Sequence, residues 1–171
     1  MNEGLIPVTQ DVLADIREAY EGIERVKAAG EKHAGIVRAV DMYYQLLAIP
    51  EREPLHVLGL FAVIESLLTH NPNGDYDSLE HQIRKKMALL NTRFTTPLDT
   101  SHFGNAPFDT LWKKFYEYRS KIAHGAAFDF KKDLKMIQNA TVAYAFLDGA
   151  AKSLLRHALK EPHLMLDLQA C

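Results

Sequence analysis

One segment, Pro54 to about Thr69, sets the terms for the whole chain, because it is apolar on nearly every face of the helix it would form. Its most apolar stretch, Val57 to Ile64, carries no charge, yet it falls far short of the ~20 residues a membrane-spanning helix needs. A helix that is hydrophobic all round has to be enclosed by others, which puts this one in the middle of a bundle. Pro54 suits its first turn, where a missing backbone N–H has no partner to lose.

The flanking sequence supplies the enclosure. Apolar residues recur at helical spacing through most of the chain, with no convincing strand alternation. Val12, Ile16, Ala19, Ile23 and Val26 predict a first helix that starts near Thr9 or Asp11 and breaks near Gly30, and a second runs from about Glu31 to Ala48. Asn71-Pro72-Asn73-Gly74-Asp75 reads as a turn. Asp77 and Glu80 then resemble a capping box that opens a fourth helix reaching about Phe94. Thr95 to Pro107 is a loop rich in turn residues, long enough to suggest function or mobility. A fifth helix spans Asp109 to His124 and stops at Gly125, and a last one covers about Lys131 to Lys160. At 171 residues, 47% hydrophobic and 25% charged, the chain is long enough for one ordinary core. The expectation is an all-α, single-domain helical bundle of about six helices occupying residues 1–171.

Charge and cysteine narrow the function classes. Twenty Lys and Arg against 22 Asp and Glu give a formal net charge of −2, which argues against coating nucleic acid by bulk charge and leaves room for a local basic face. The one cysteine, Cys171, rules out a disulfide framework or a cysteine-based zinc site and fits a reducing compartment. Met1-Asn2-Glu3-Gly4 has none of the basic start and apolar run of a secretory leader. The sequence therefore predicts a soluble cytoplasmic protein without membrane association. The eight histidines show no zinc-ligand spacing and no glycine-rich phosphate loop is present, so neither metal nor cofactor is expected. Ser101-His102 has no identifiable acid partner for a triad.

The fifth helix is unusual. Trp112, Phe115, Arg119 and Ile122 share one inward seam, and an arginine there needs its charge compensated. Glu65, directly after the apolar run of the central helix, is either that compensation or a residue on the helix's one wet edge. His124 closes the helix. Imidazole can move a proton to or from a ribose hydroxyl, and guanidinium can grip phosphate oxygens as charge builds. That pair is what metal-free RNA cleavage by the neighbouring 2′-hydroxyl requires. Five residues turn an ideal helix by about 140°, however, so Arg119 and His124 do not share a face. They converge only if the helix end distorts or a second subunit supplies one of them. The bland alternative makes His124 a helix-end histidine bonding terminal carbonyls. Arg156 and His163 form a similar but proline-interrupted spacing. Lys113, Lys114, Arg119, Lys121, Lys131, Lys132 and Lys135, opposed only by Glu117, Asp129 and Asp133, form a candidate basic patch for a polyanion or a solvated face. Arg84-Lys85-Lys86 is a second such run.

Tyr116-Glu117-Tyr118-Arg119-Ser120-Lys121-Ile122-Ala123-His124-Gly125 resembles the signature of the HEPN superfamily in its ApeA-like branch, and Phe61 to Leu68 resembles the branch's central helix with its carboxylate. The resemblance spans about 54–144. It implies a dimeric helical bundle in which two Arg-x4-His motifs share a cleft, and active members resemble metal-independent endoribonucleases of toxin–antitoxin and phage-defence systems. Carried over, Arg119 would stabilise the phosphate, His124 would transfer a proton or orient RNA, and Glu65 would hold Arg119; Lys113, Lys114 and Lys121 of the basic patch are the candidate substrate-binding residues. Ser120 stands where many active members carry Asn, Asp or His. Other relatives resemble noncatalytic modules that bind nucleotides, RNA or a protein, including an antitoxin or a nucleotidyltransferase partner.

Overall fold

The computed structural model describes residues 8–51, 53–70 and 78–170. Among these residues the chain is all-helical: α1 (Gln10–Ala28), α2 (Ala34–Leu46), α3 (Pro54–Leu68), α4 (Leu79–Asn91), α5 (Phe108–Ala123), α6 (Ala140–Lys160) and α7 (Pro162–Ala170). The turn expected at 71–75, Asp77 and Cys171 lie outside the described residues. Where the sequence suggested a capping box from Asp77, the structure uses Ser78, whose hydroxyl accepts the His81 N–H and caps α4.

α3 is the hub. It packs against α2, α4, α5, α6 and α7, and Val57, Leu60, Phe61, Val63, Ile64, Leu67 and Leu68 are all buried. Its packing against α2 is tightest at Gly59, where an added Cβ would stand 2.1 Å from a methyl of Leu46. A buried lysine finishes the helix: Lys86 Nζ donates to the Leu68 carbonyl at 2.9 Å, answering the dipole at the α3 carboxyl end. Lys86 therefore belongs to the interior and not to a surface cationic run, and Arg84 is paired with Glu80 and Asp109.

An aromatic cluster joins α5 to α6 beside this hub. Phe115 and Phe146 stack at 4.9 Å with an interplanar angle of 9°, and Phe103 and Trp112 pack edge-on or tilted against them. Phe103 comes from a short 3₁₀ turn, Ser101–Phe103, so the long 95–107 loop is anchored in the core by an aromatic side chain. Turn chemistry in the sequence hid that anchor.

Two boundaries differ from the sequence reading. The last helix divides: Lys135–Ile137 is a 3₁₀ turn, Gln138 adopts a positive φ of 61°, and Asn139 caps α6 by accepting the Val142 N–H. Pro162 then opens a seventh, short helix that no periodicity announced. α1 also packs on only half its length. Gly22 and Val26 are buried against the body, whereas Val12 and Ile16 are 44% and 58% exposed, so the expected apolar seam is not enclosed at its amino-terminal end. No helix of the described residues is long and apolar enough to cross a membrane.

Two interior histidines make stability pH-dependent. Burial lowers the pKa of His33, with His163 reinforcing the shift, and burial likewise lowers that of His157 against the opposing pull of Glu161. Each folded-state value lies below the 6.5 of an ordinary histidine, so the unfolded chain binds the proton more readily. Stability from these two groups is full above about pH 6.5 and falls as pH drops towards their folded values. Urea midpoints measured from pH 7.5 to 5.5 should decline, and a His33→Gln, His157→Gln variant should decline less steeply.

Candidate functional site

The charged residue that α3 cannot avoid meets the charged residue that α5 turns inward. Arg119 Nη2 donates to Glu65 Oε2 at 3.1 Å, with the two side chains 27% and 17% exposed. The wet-edge alternative for Glu65 is thereby excluded. Only one limb of each group is engaged in this contact: Glu65 Oε1 and Arg119 Nε are buried without a hydrogen-bond partner in the structure. Such atoms in a polar pocket are costly unless a water or ligand completes them. Beneath the guanidinium lies the Tyr116 ring, with Cζ 5.6 Å from its centroid. The i, i+3 spacing of Tyr116 and Arg119 is the signal by which this cation–π contact could have been found in the sequence. Burial, aided by the Glu65 carboxylate, raises the Tyr116 pKa, so the phenol keeps its proton and can donate it in a hydrogen bond.

His124 occupies a different part of the helix. It is the exposed C-cap of α5, and its backbone N–H donates to the Ser120 carbonyl at 3.0 Å. Gly125 follows at φ 63°, its N–H bonding the Ile122 carbonyl, while Ala126 N–H bonds that of Lys121. This is a Schellman termination, and it satisfies the last carbonyls from the backbone. The imidazole is therefore not needed to bond those carbonyls, which leaves complementing the helix dipole as its structural role. Downstream, Phe128 and Phe130 fold back onto buried Tyr118 at 5.2 and 5.3 Å, clamping the chain that leaves the histidine.

His124 borders an open depression of about 380 Å³ together with Ser120, Lys121, Lys113, Tyr116 and Glu80. Ser120, Lys113 and Lys121 thus gather around it. Lys114 does not line the depression. Its ammonium is held by Glu117 at 2.7 Å, and Lys121 is shared between Glu117 and Asp133, at 4.0 and 3.5 Å. The basic patch is accordingly weaker than the lysine count suggests. Arg119 does not line the depression either, in keeping with the helical angle between it and His124. Tyr116 is the link, since its ring supports Arg119 and also borders the depression. No residue of the 95–107 loop lines this depression.

Among the described residues no group of three or more His, Cys, Asp or Glu is gathered as a metal site would require. Compared with known proteins, the chain matches no family profile, no curated protein and no solved structure. The site is read from its own chemistry.

A double-mutant cycle measures the central pair. Glu65→Leu alone leaves a half-buried guanidinium uncompensated and should cost about 1–3 kcal/mol. Arg119→Met alone should cost a similar amount, while the double variant should recover most of the loss. A coupling energy near zero in denaturant titrations would show that the pair contributes nothing to stability.

Proposed function

We propose that this chain is a metal-independent endoribonuclease of the HEPN type, working as a homodimer whose cleft combines the two Arg119 and His124 sets. The observation that carries the reading is the Glu65–Arg119 pair on the Tyr116 ring, because it holds a guanidinium, 27% exposed, beside a depression that presents an exposed imidazole. A fold in need only of stability would gain as much from apolar residues at 65 and 119.

The chemistry fits RNA. His124 would take the proton from a ribose 2′-hydroxyl or orient it, the 2′-oxygen would bond to phosphorus, and the bond from phosphorus to the 5′-oxygen would break. Products are a 2′,3′-cyclic phosphate and a 5′-hydroxyl, the latter protonated as it leaves. Arg119 would offset charge on the non-bridging oxygens, and the Tyr116 phenol would offer a further donor. Because one chain presents Arg119 and His124 to different directions, a two-fold interface is the simplest way to bring them to one phosphate. Lys113 and Lys121 border the depression and would meet neighbouring phosphates. A toxin–antitoxin or phage-defence role, with an antitoxin or nucleotidyltransferase as partner, rests on the sequence resemblance alone.

A second reading has its own observation: Arg119 is absent from the lining of the His124 depression. On that reading the same face is a noncatalytic binding module. Incubation of a mixed RNA with the purified protein in EDTA distinguishes the two. The nuclease reading predicts cleavage to 2′,3′-cyclic ends and a loss of about 100-fold or more in His124→Ala and Arg119→Ala. Sedimentation should give a dimer. Cleavage equal in wild type and both variants, or none in a protein shown to bind RNA, would replace the nuclease with the binding module.

A further inference from the structure

Towards the carboxyl end of α6 a second depression, of about 400 Å³, lies between α1, α6 and the start of the 95–107 loop. Four cationic side chains border it: Arg25, Arg93, Arg156 and Lys160. Three carboxylates answer them, Asp15, Glu18 and Glu161. At its wall is His157, 5% exposed, whose Nε2 is buried without a hydrogen-bond partner. The nearest carboxylate, Glu161 Oε1, stands 3.8 Å away, beyond hydrogen-bond reach, and Phe94 packs edge-on against the imidazole at 5.8 Å. A ring fixed in this way keeps an unsatisfied nitrogen at the edge of a cationic pocket. Natural structures seldom leave such an atom without a partner.

We infer that this depression binds a small phosphomonoester, with its phosphoryl group between His157 and the arginines. Three of the four cations are guanidiniums, whose forked donors match phosphate oxygens. Ser153, Thr95 and Thr96 border the same space and add hydroxyl donors. Arg93 already holds one anion there, the Glu161 carboxylate at 2.9 Å, which marks where a ligand oxygen would compete. Glu161 sits at the joint between α6 and α7, where its backbone bonds both helices while its partly exposed side chain takes no part in either. At about 400 Å³ the space exceeds what a phosphate ion, a few waters in size, would fill. Ala19, Phe94 and Leu159 line the remainder and would receive the organic part. Arg119, His124 and Glu65 do not border this space, so the site is separate from the proposed nuclease face.

Charge supports a dianion. Four cations against three carboxylates leave one net positive charge, and protonating His157 makes it two. Burial holds the His157 imidazole below the ordinary histidine value, Arg93 and Lys160 reinforce that, and Glu161 opposes it. A phosphoryl dianion would reverse the balance, so binding should be accompanied by proton uptake at His157.

The test follows the His157 ring resonances by NMR on the full chain during titration with ribose 5-phosphate, inorganic phosphate and ribose. Ribose 5-phosphate should give a saturable shift, with affinity several-fold above that of inorganic phosphate, and ribose should give none. Arg156→Gln, a change at an exposed position, should weaken ribose 5-phosphate by about tenfold, while His124→Ala should leave its binding unchanged. Absence of a saturable shift, or an equal shift in Arg156→Gln, would overturn the site. Phosphate binding as tightly as ribose 5-phosphate would overturn the organic ligand and leave an anion site. A phosphate-free RNA end competing equally well would assign the surface to RNA instead.

Discussion

The bundle is arranged around a helix too apolar to stand alone in water. α3 has Glu65 as its only Asp, Glu, Lys or Arg, and it packs against α2, α4, α5, α6 and α7. Enclosing it buries most of the large apolar side chains of the chain, and burial of this kind is the main favourable term in folding. The same enclosure isolates Glu65. A carboxylate next to a hydrophobic run must either reach water or meet a cation, and the arginine of α5 meets it. The site therefore follows from the hub. Arg119 can point inward because Glu65 is there, and Tyr116 supports it one turn earlier.

Much of this was written in the residue order. An uninterrupted apolar stretch gave the position of α3, and an arginine at helical spacing from Trp112 and Phe115 gave the partner of Glu65. Those inferences needed only periodicity and the cost of burying charge. What stayed hidden depended on contacts between segments far apart. Lys86 sits in a run of three cations, and nothing in that run says that it caps α3 from within. Phe103 lies among turn residues, and only the packing of α5 on α6 shows the space it fills. The pairing of Lys121 with the Asp133 carboxylate, and of Lys114 with Glu117 and the Asp133 carbonyl, shows only once the chain after α5 folds back. The depression beside His157 draws on α1, the 95–107 loop and α6, three segments whose proximity no local pattern encodes.

The two candidate sites use cations in contrasting ways. At Glu65 and Arg119 one pair is partly buried, and its value lies in fixed direction. Around His157 four cations and three carboxylates border one depression, so a ligand would redistribute existing pairs such as Arg93 with Glu161. Fixed direction suits a transition state, in which the enzyme supplies charge already in place. Exchangeable pairs suit reversible binding.

α1 carries a consequence of a different kind. From Gly22 onwards it is docked on α2 and α6, with Gly22 so close that an added Cβ would lie 3.0 Å from that of Leu159. Its first turns hold Val12, Leu13, Ile16 and Tyr20 in solvent. Those turns rest on the Thr9 cap and on their own backbone bonds, so unwinding them exposes almost no surface that is not already wet. The helix thus has two halves of unequal permanence. Amide protons before Tyr20 should exchange with solvent through a local opening, while those after Gly22 should wait for the whole bundle to come apart.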